Sequence, residues 1–230
     1  MLNVALIIPV FQPGDRLEKL IRELAQEFRS LVVVDDGSTE NTDRFDFLAE
    51  IANAKLLRHD RNRGKGAALK TAFAEILRAP DAVEAVVTAD GDGQHLMKDI
   101  LAVADATLAN PDAITFGVRQ FAGRVPFRSR LGNLWTELEF FLLTRCRIPD
   151  TQTGLRGIPF GLLPAIAALP GERYEYESRM LVAATRLKAK PVLIPIETVY
   201  LDGNSSSHYR PLRDTLITQR ALWSAASSSN

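Results

Sequence analysis

VEAVVTADGDGQH, residues 83–95, decides how the chain is read. Its first half, Val83 to Ala89, is an apolar run of strand-forming residues. Its second half releases two carboxylates, Asp90 and Asp92, among glycines. A continuous apolar run suits a strand buried on both faces of a sheet. The same pattern repeats on either side. Leu2–Pro9 and Leu31–Val34 are buried-strand runs, the second ending in Asp35-Asp36-Gly37-Ser38, and Ala54–Leu57 and Ala113–Val118 are shorter strands. Between them lie helical patterns: Leu17, Leu20, Ile21, Leu24 and Phe28; Phe45, Leu48, Ala49 and Ala52; Gly66–Leu77; and Ile100–Leu108. Strands alternating with helices predict an α/β protein with a mostly parallel sheet flanked by helices. Such sheets bind ligands beyond the carboxyl ends of their strands, and the polar clusters follow Val34, Ala89 and Phe116.

The second half is less regular. Leu131–Arg145 reads as a helix with Trp135, Leu138, Phe141 and Leu142 as its core stripe, Glu175–Leu187 as another helix, and Val192–Ile196 as a strand. Leu212–Trp223 is amphipathic, with Leu212, Leu216 and Trp223 on one face, and a Ser-rich tail follows. These features predict one domain over residues 1–210 and a C-terminal amphipathic segment and tail over 211–230.

Composition narrows the function. The 230 residues carry 28 Lys+Arg and 28 Asp+Glu, so no net charge supports a whole-surface grip on nucleic acid. Hydrophobic residues make up 46% and charged residues 24%, as in a folded soluble domain. One cysteine, Cys146, excludes an intrachain disulfide framework and a cysteine-based zinc site. The start MLNVALIIPVFQPGD has no basic leader, and the longest uncharged internal run, Gly157–Gly171, is too short to cross a bilayer and carries three prolines. A cytoplasmic protein, peripheral on the membrane face, is the expectation. Charge is uneven along the chain: Asp35–Glu50 holds six acids and one Arg, whereas Ala113–Thr136 holds Arg119, Arg124, Arg128 and Arg130 and no acid. Solvated loops explain this, and so does a ligand with both a cation and several phosphates.

Two carboxylates two residues apart at a strand end can converge on one hard cation, Mg²⁺ or Mn²⁺, bridging to a diphosphate, and Gln94 can add a neutral oxygen. The bland alternative is a Gly-Asp turn without a ligand. Asp35 and Asp36 can accept hydrogen bonds from a ribose or base edge, or cap the next turn. Asn62-Arg63-Gly64-Lys65-Gly66 opens a helix whose start favours an anion. It is not a Walker A loop, because Ala67 follows Gly66. Neither Gly64-Lys65-Gly66 nor Gly91-Asp92-Gly93 completes G-x-G-x-x-G, which disfavours a nicotinamide dehydrogenase.

In this order, IIPVFQPGD (7–15), VVDDGSTENT (33–42), NRGKGAAL (62–69), TADGDGQH (88–95), GVR (117–119), RSRLGN (128–133), DTQTGLRG (150–157), YEYE (174–177) and PIETVYLDGNSSSHY (195–209) resemble the family 2 glycosyltransferases. Within that family the likeness is to the polyprenyl-phosphate sugar synthases, the dolichol-phosphate mannose synthases and their bacterial glucosyl relatives. The resemblance covers nearly the whole chain. It implies a GT-A fold, Rossmann-like, with a mixed, mostly parallel sheet, and a nucleotide-sugar donor for cell-envelope or glycolipid synthesis. It also implies roles residue by residue. Pro9, Val10, Asp35 and Asp36 line the nucleoside pocket, and Lys65 and Gly91 belong to the donor site. Asp90, Asp92 and Gln94 hold Mg²⁺ or Mn²⁺ on the diphosphate, and Arg119 and Arg130 meet phosphate. Asp150, Gln152 and the YEYE helix face the transferring sugar. Ser206, Ser207 and His208 lie on a loop that in relatives closes over the nucleotide. Many relatives continue into transmembrane helices. The sequence here stops at Asn230, so a small membrane partner protein and a longer parent chain both stay open.

Acceptor chemistry then separates two enzyme readings. A sugar hydroxyl needs a general base, for which Asp150 is the candidate. A lipid phosphate, its second pKa near ~6, brings its own charged nucleophile and needs cations to guide it. The acid-free arginine segment, with Phe121, Val125, Pro126 and Phe127 interleaved, suits the second at a membrane surface. The expectation is therefore an inverting transfer of a hexose from UDP-glucose or GDP-mannose to a polyprenyl phosphate. A non-catalytic nucleotide-binding module is the remaining alternative, opposed by the intact D-x-D.

Overall fold

The structure, a computed structural model, describes residues 1–79, 83–119, 127–197, 219–220 and 222–225; for residues 127–135 it describes the backbone alone. Seven strands form one mixed sheet: β1 (Leu2–Val10), β2 (Phe28–Asp35), β3 (Ala54–Arg58), β4 (Ala85–Thr88), β5 (Thr115–Arg119), β6 (Arg156–Pro159) and β7 (Val192–Ile196). Their order is β3-β2-β1-β4-β6-β5-β7. β1 pairs in parallel with β2 and β4, β2 with β3, and β5 with β7, whereas β6 runs antiparallel to both neighbours. The helices are α1 (Leu17–Leu24), α2 (Lys65–Leu77), α3 (Met97–Ala109), α4 (Phe127–Thr144), α5 (Leu163–Ala167) and α6 (Glu175–Thr185). The expectation of an α/β protein with a mixed, mostly parallel sheet flanked by helices holds.

The unbroken apolar runs follow from burial on both faces. Along β1, Val4, Leu6, Ile8 and Val10 face a core shared with Leu17 and Ile21 of α1 and Ile100 and Val103 of α3. Ala5 and Ile7 face the opposite core, with Ala68 and Phe73 of α2 and Met180 of α6. The two-residue period of a strand sorts neighbouring apolar residues into different layers. Truncating Ile7, fully enclosed, to alanine costs about 2–5 kcal/mol through lost transfer energy and the cavity left behind.

Three local expectations are corrected, and one strand appears that the sequence did not announce. Phe28 opens β2 rather than ending α1, since α1 stops at Leu24. The segment Thr42–Glu50 is a 3₁₀ helix, with Phe45 and Leu48 three residues apart and both buried. β6 has no strand signature in its sequence, Arg-Gly-Ile-Pro, yet sits inside the sheet. On α4, among the described side chains, Phe140 is buried while Leu138, Phe141 and Leu142 are exposed, and the Trp135 side chain lies outside those described. That helix is apolar on two faces, so periodicity alone did not fix which one turns inward.

Of the C-terminal segment, Leu222 and Ala225 join the core beneath α6, and Arg186 donates to the Ala225 carbonyl. Trp223 is exposed and its indole N–H donates to Glu139 Oε1 at 2.7 Å. Leu212, Leu216 and the expected boundary at residue 210 lie outside the described residues. No helix among the described residues is long and apolar enough to cross a membrane.

Candidate active site

β1 and β4 pair only as far as Ile7 and Thr88, whereas β1 continues beside β2 to Val10. The Ala89 amide still donates to the Ile7 carbonyl at 3.0 Å, and Asp90 and Gly91 then follow over the strand ends. β1 therefore has partners on both sides that were reached by crossovers in opposite directions, the switch point at which α/β sheets open a crevice. Gly91 is needed there, because a Cβ would fall 2.9 Å from Val10 Cγ2 and 3.3 Å from the Pro9 carbonyl.

Asp90 does not stand alone in the crevice. Lys65, the first residue of α2, places Nζ 2.6 Å from Asp90 Oδ1 and 2.9 Å from Glu177 Oε1 of α6. His95 Nε2 lies 3.3 Å from the other oxygen of Asp90. Burial pushes the Asp90 carboxyl up, but Lys65 and His95 more than offset it and hold the group well below the usual carboxylate range. Burial likewise opposes the Lys65 charge, and Asp90 with Glu177 outweighs it, so the ammonium persists. Asp92 differs. Burial first, and the Asp90 charge second, push its carboxyl up; it accepts the Gln94 amide at 3.0 Å and has no directly paired cation among the described residues.

The two aspartates at the end of β2 are placed at the same strand ends, and both oxygens of Asp36 are committed. Asp36 is buried and accepts the backbone N–H groups of Arg63 at 2.9 Å and Gly64 at 2.8 Å. Its Oδ1 also lies 2.7 Å from His59 Nδ1, and His59 Nε2 lies 2.9 Å from the Thr71 hydroxyl on α2. Asp36 thus anchors the loop that delivers Lys65. Asp35 accepts the Ser38 amide at 2.8 Å in a tight turn. Gln12, in the left-handed region at φ 57°, joins this turn by accepting the Glu40 amide at 2.8 Å. The helix start at Gly64–Gly66 faces the 172–176 segment rather than open space: Ala67 donates to the Glu172 carbonyl at 2.8 Å, and a Cβ on Gly66 would fall 2.6 Å from that of Tyr176.

Arg119, at the end of β5, grips Asp150 with two parallel hydrogen bonds, Nε to Oδ2 at 2.7 Å and Nη2 to Oδ1 at 3.0 Å. Asp150 has no exposed surface and also accepts the Gln152 and Arg119 amides. Gln152 is exposed and Gln94 half-buried. Arg130 lies on α4 with its side chain outside the described residues, and Ser206, Ser207 and His208 fall outside them altogether.

The sequence reading assigned no role to Arg156 or Gly154, and it named Glu177 only within YEYE. Arg156 is enclosed under the site, donating from Nη1 to the Glu177 carbonyl at 2.7 Å and from Nε to the Thr153 carbonyl at 3.2 Å, with its guanidinium over Phe116. Gly154 leaves the space that the Asp90–Lys65 pair fills. Glu177 is the member of YEYE that reaches the cleft, because the Tyr176 ring is buried and its hydroxyl donates to the Ile166 carbonyl at 2.7 Å. The one available signal was an arginine set in the apolar stretch around Leu155 and Ile158.

Carboxylates and a lysine gather at the switch point of a mostly parallel sheet, the place where α/β proteins open a ligand crevice. The model of glycosyl transferase family 2 matches residues 5–162, more than half of the chain, and the chain belongs to that family. It is 27% identical over 222 residues to the UDP-N-acetylglucosamine–dolichyl-phosphate N-acetylglucosaminyltransferase of Methanococcus voltae, covering 86% of each chain. It is 22% identical over 232 residues to the dolichyl-phosphate beta-glucosyltransferase of Saccharomyces cerevisiae, covering 87% of this chain and 68% of that one. Among solved structures, glucosyl-3-phosphoglycerate synthase from Mycobacterium tuberculosis, in complex with Mn²⁺, UDP and phosphoglyceric acid, superposes with a TM-score of 0.69 at 15% identity, covering 99% of this chain and 79% of that one. This last likeness concerns the fold.

Proposed function

We propose that this family 2 glycosyltransferase moves one sugar from a nucleoside diphosphate sugar to a polyprenyl phosphate, with inversion at the anomeric carbon. The observation that carries the acceptor class is the pairing of the cleft carboxylates. Asp150, the candidate base for a hydroxyl acceptor, has no exposed surface and both oxygens in the grip of Arg119. Asp90 and Glu177 share Lys65. A general base must reach the proton it removes, and Asp150 is enclosed with both oxygens held by Arg119. A phosphate acceptor needs no base, since it arrives ionised. The Methanococcus voltae and yeast relatives, named for dolichyl phosphate, support the same choice.

Asp92 fits a divalent cation. It is half-buried next to a second carboxylate, pushed up by both, and carries no directly paired cation among the described residues. A divalent charge relieves this strain. No cluster of three or more His, Cys, Asp or Glu able to hold a metal occurs among the described residues; a Mg²⁺ or Mn²⁺ ion held by one or two carboxylates would take further oxygens from a donor diphosphate and water. Asp92, with Asp90 and Gln94, holds the ion, which when bound stabilises the charge on the departing nucleoside diphosphate. Pro9, Val10, Asp35 and Asp36 shape the nucleoside side, and Lys65 lies within reach of the diphosphate. Arg119, oriented by Asp150, steers a phosphate as a fixed fork, and Arg130 is assigned to the same task. In the reaction an acceptor phosphate oxygen attacks the anomeric carbon from the face opposite the leaving group. The bond from that carbon to the donor phosphate breaks, and the nucleoside diphosphate leaves with the electron pair.

Purified protein incubated with radiolabelled UDP-glucose, UDP-N-acetylglucosamine or GDP-mannose and a polyprenyl phosphate tests this reading. The expected product is a glycosyl phosphodiester, labile to mild acid and dependent on the added lipid. An acid-stable product formed without the lipid overturns it.

A further inference from the structure

Both oxygens of Asp90 have partners, one with Lys65 Nζ at 2.6 Å and one near His95 Nε2 at 3.3 Å. Lys65 is also held by Glu177 at 2.9 Å, and Glu177 in turn lies 3.8 Å from the Arg156 guanidinium. The ammonium therefore has a second anchor that survives the loss of Asp90. Its stem is flexible, and its Nζ is a compact charge that can turn between acceptors. The Lys65 side chain is 18% exposed and that of Asp90 30%, so the pair faces the cleft. The space it occupies is specified, because a Cβ on Gly154 would fall 2.5–2.6 Å from Asp90 Oδ1, Asp90 Oδ2 and Lys65 Nζ.

A divalent cation on Asp90 and an ammonium on the same oxygen would stand roughly 4 Å apart and repel. Each therefore weakens the binding of the other. A donor diphosphate offers the ammonium new anionic oxygens, in charge-assisted hydrogen bonds of the strong class.

We propose that Lys65 acts as a cation lock on the D-x-D carboxylates: without donor it holds Asp90 and keeps divalent-metal affinity low, and the donor diphosphate draws it off Asp90, pivoting on Glu177, so that metal and donor enter together. This rests on the reading that Asp90 and Asp92 take a divalent ion. Lys65 is then a positioning residue for the metal as well as a donor contact. Linkage makes the effect reciprocal, since nucleotide raises metal affinity by the factor by which metal raises nucleotide affinity.

The test is a Mn²⁺ titration of the full-length protein by electron paramagnetic resonance, with and without UDP or GDP. Lys65→Met is expected to tighten Mn²⁺ binding without nucleotide by about tenfold, because a second charged oxygen ligand becomes available. Lys65→Arg, which keeps the charge, is expected to stay near wild type. The enhancement of Mn²⁺ affinity by nucleotide is expected to shrink in Lys65→Met. Circular dichroism checks folding, and Lys65→Gln replaces the Met variant if that one does not fold. Unchanged or weaker nucleotide-free Mn²⁺ binding in the neutral variant overturns the lock. If neither UDP nor GDP brings Mn²⁺ binding that depends on Asp92, the metal reading itself falls, a distinct result.

Discussion

Gly154 abuts Asp90 so closely that a methyl group in place of its hydrogen would sit 2.5 Å from Asp90 Oδ1. The loop before β6 is pinned at this distance by the Thr88 hydroxyl, which donates to the Gly154 carbonyl at 2.8 Å. Gly154→Ala therefore has to displace the Asp90–Lys65 pair rather than the backbone. Turnover is expected to fall by about tenfold or more, the scale of a small misplacement at a reacting centre, with little loss of melting temperature. Wild-type kinetics in Gly154→Ala would show that the contact does not matter.

Asp92→Asn keeps the shape of the side chain and removes its charge. Because burial and Asp90 already disfavour that charge, the folded state is expected to be as stable as wild type or more so. Activity with any donor is expected to drop by ~10²-fold or more, through lost stabilisation of the leaving group. Thermal denaturation and a metal-dependent rate assay read the two effects separately, and full activity of the variant in excess EDTA would contradict the assignment.

Arg119 and Asp150 are expected to behave as one unit. Arg119→Lys replaces a two-pronged grip by a point charge, and Asp150→Asn loosens the grip from the other side. Each is expected to raise the Michaelis constant for a phosphate-bearing substrate, and the double variant is expected to cost much less than the sum of the two. A general base predicts otherwise: Asp150→Asn alone would abolish turnover with the Michaelis constants unchanged. A double-mutant cycle on kcat/KM decides between them.

The Asp90–Lys65 pair also gives stability a pH dependence. The folded Asp90 carboxyl is held below its unfolded value, near ~3.9, by Lys65 and His95 against burial. Its contribution is present above the unfolded value and is lost as pH falls through the folded one. The difference in stability between wild type and Asp90→Asn is therefore expected to be constant around neutrality and to narrow as pH drops below about 4. Chemical denaturation across that range measures it.

How much of this was legible depends on how local its cause is. β1, β2 and β4 declared themselves because a strand enclosed on both faces is an unbroken apolar run. β6 did not, since four residues including Gly157 and Pro159 owe their strand conformation to β4 and β5 on either side. Asp90 and Asp92 were recognisable from glycines and a strand end. What each one faces was not, because Lys65 reaches Asp90 from 25 residues before it, and Glu177, 87 residues after Asp90, holds that lysine from the other side. The same holds for Asp36, which accepts the Arg63 and Gly64 amides from 27 and 28 residues further along the chain. Spacing shows that a carboxylate is available; only the fold shows what has already claimed it.

The reversed strand β6 also sets an order of assembly. β4 precedes β6 by about seventy residues, yet Val86 and Val87 find their outer partners only in Ile158 and Gly157. A chain emerging from the ribosome completes β1 to β4 early and then carries an open strand edge until residue 159 appears. Exposed edges invite pairing with other chains, and pairings distant in sequence form slowly. A fragment ending near residue 150 would hold the crevice between β1 and β4 but leave that edge bare, and is expected to aggregate, whereas one that extends past β7 can close the sheet.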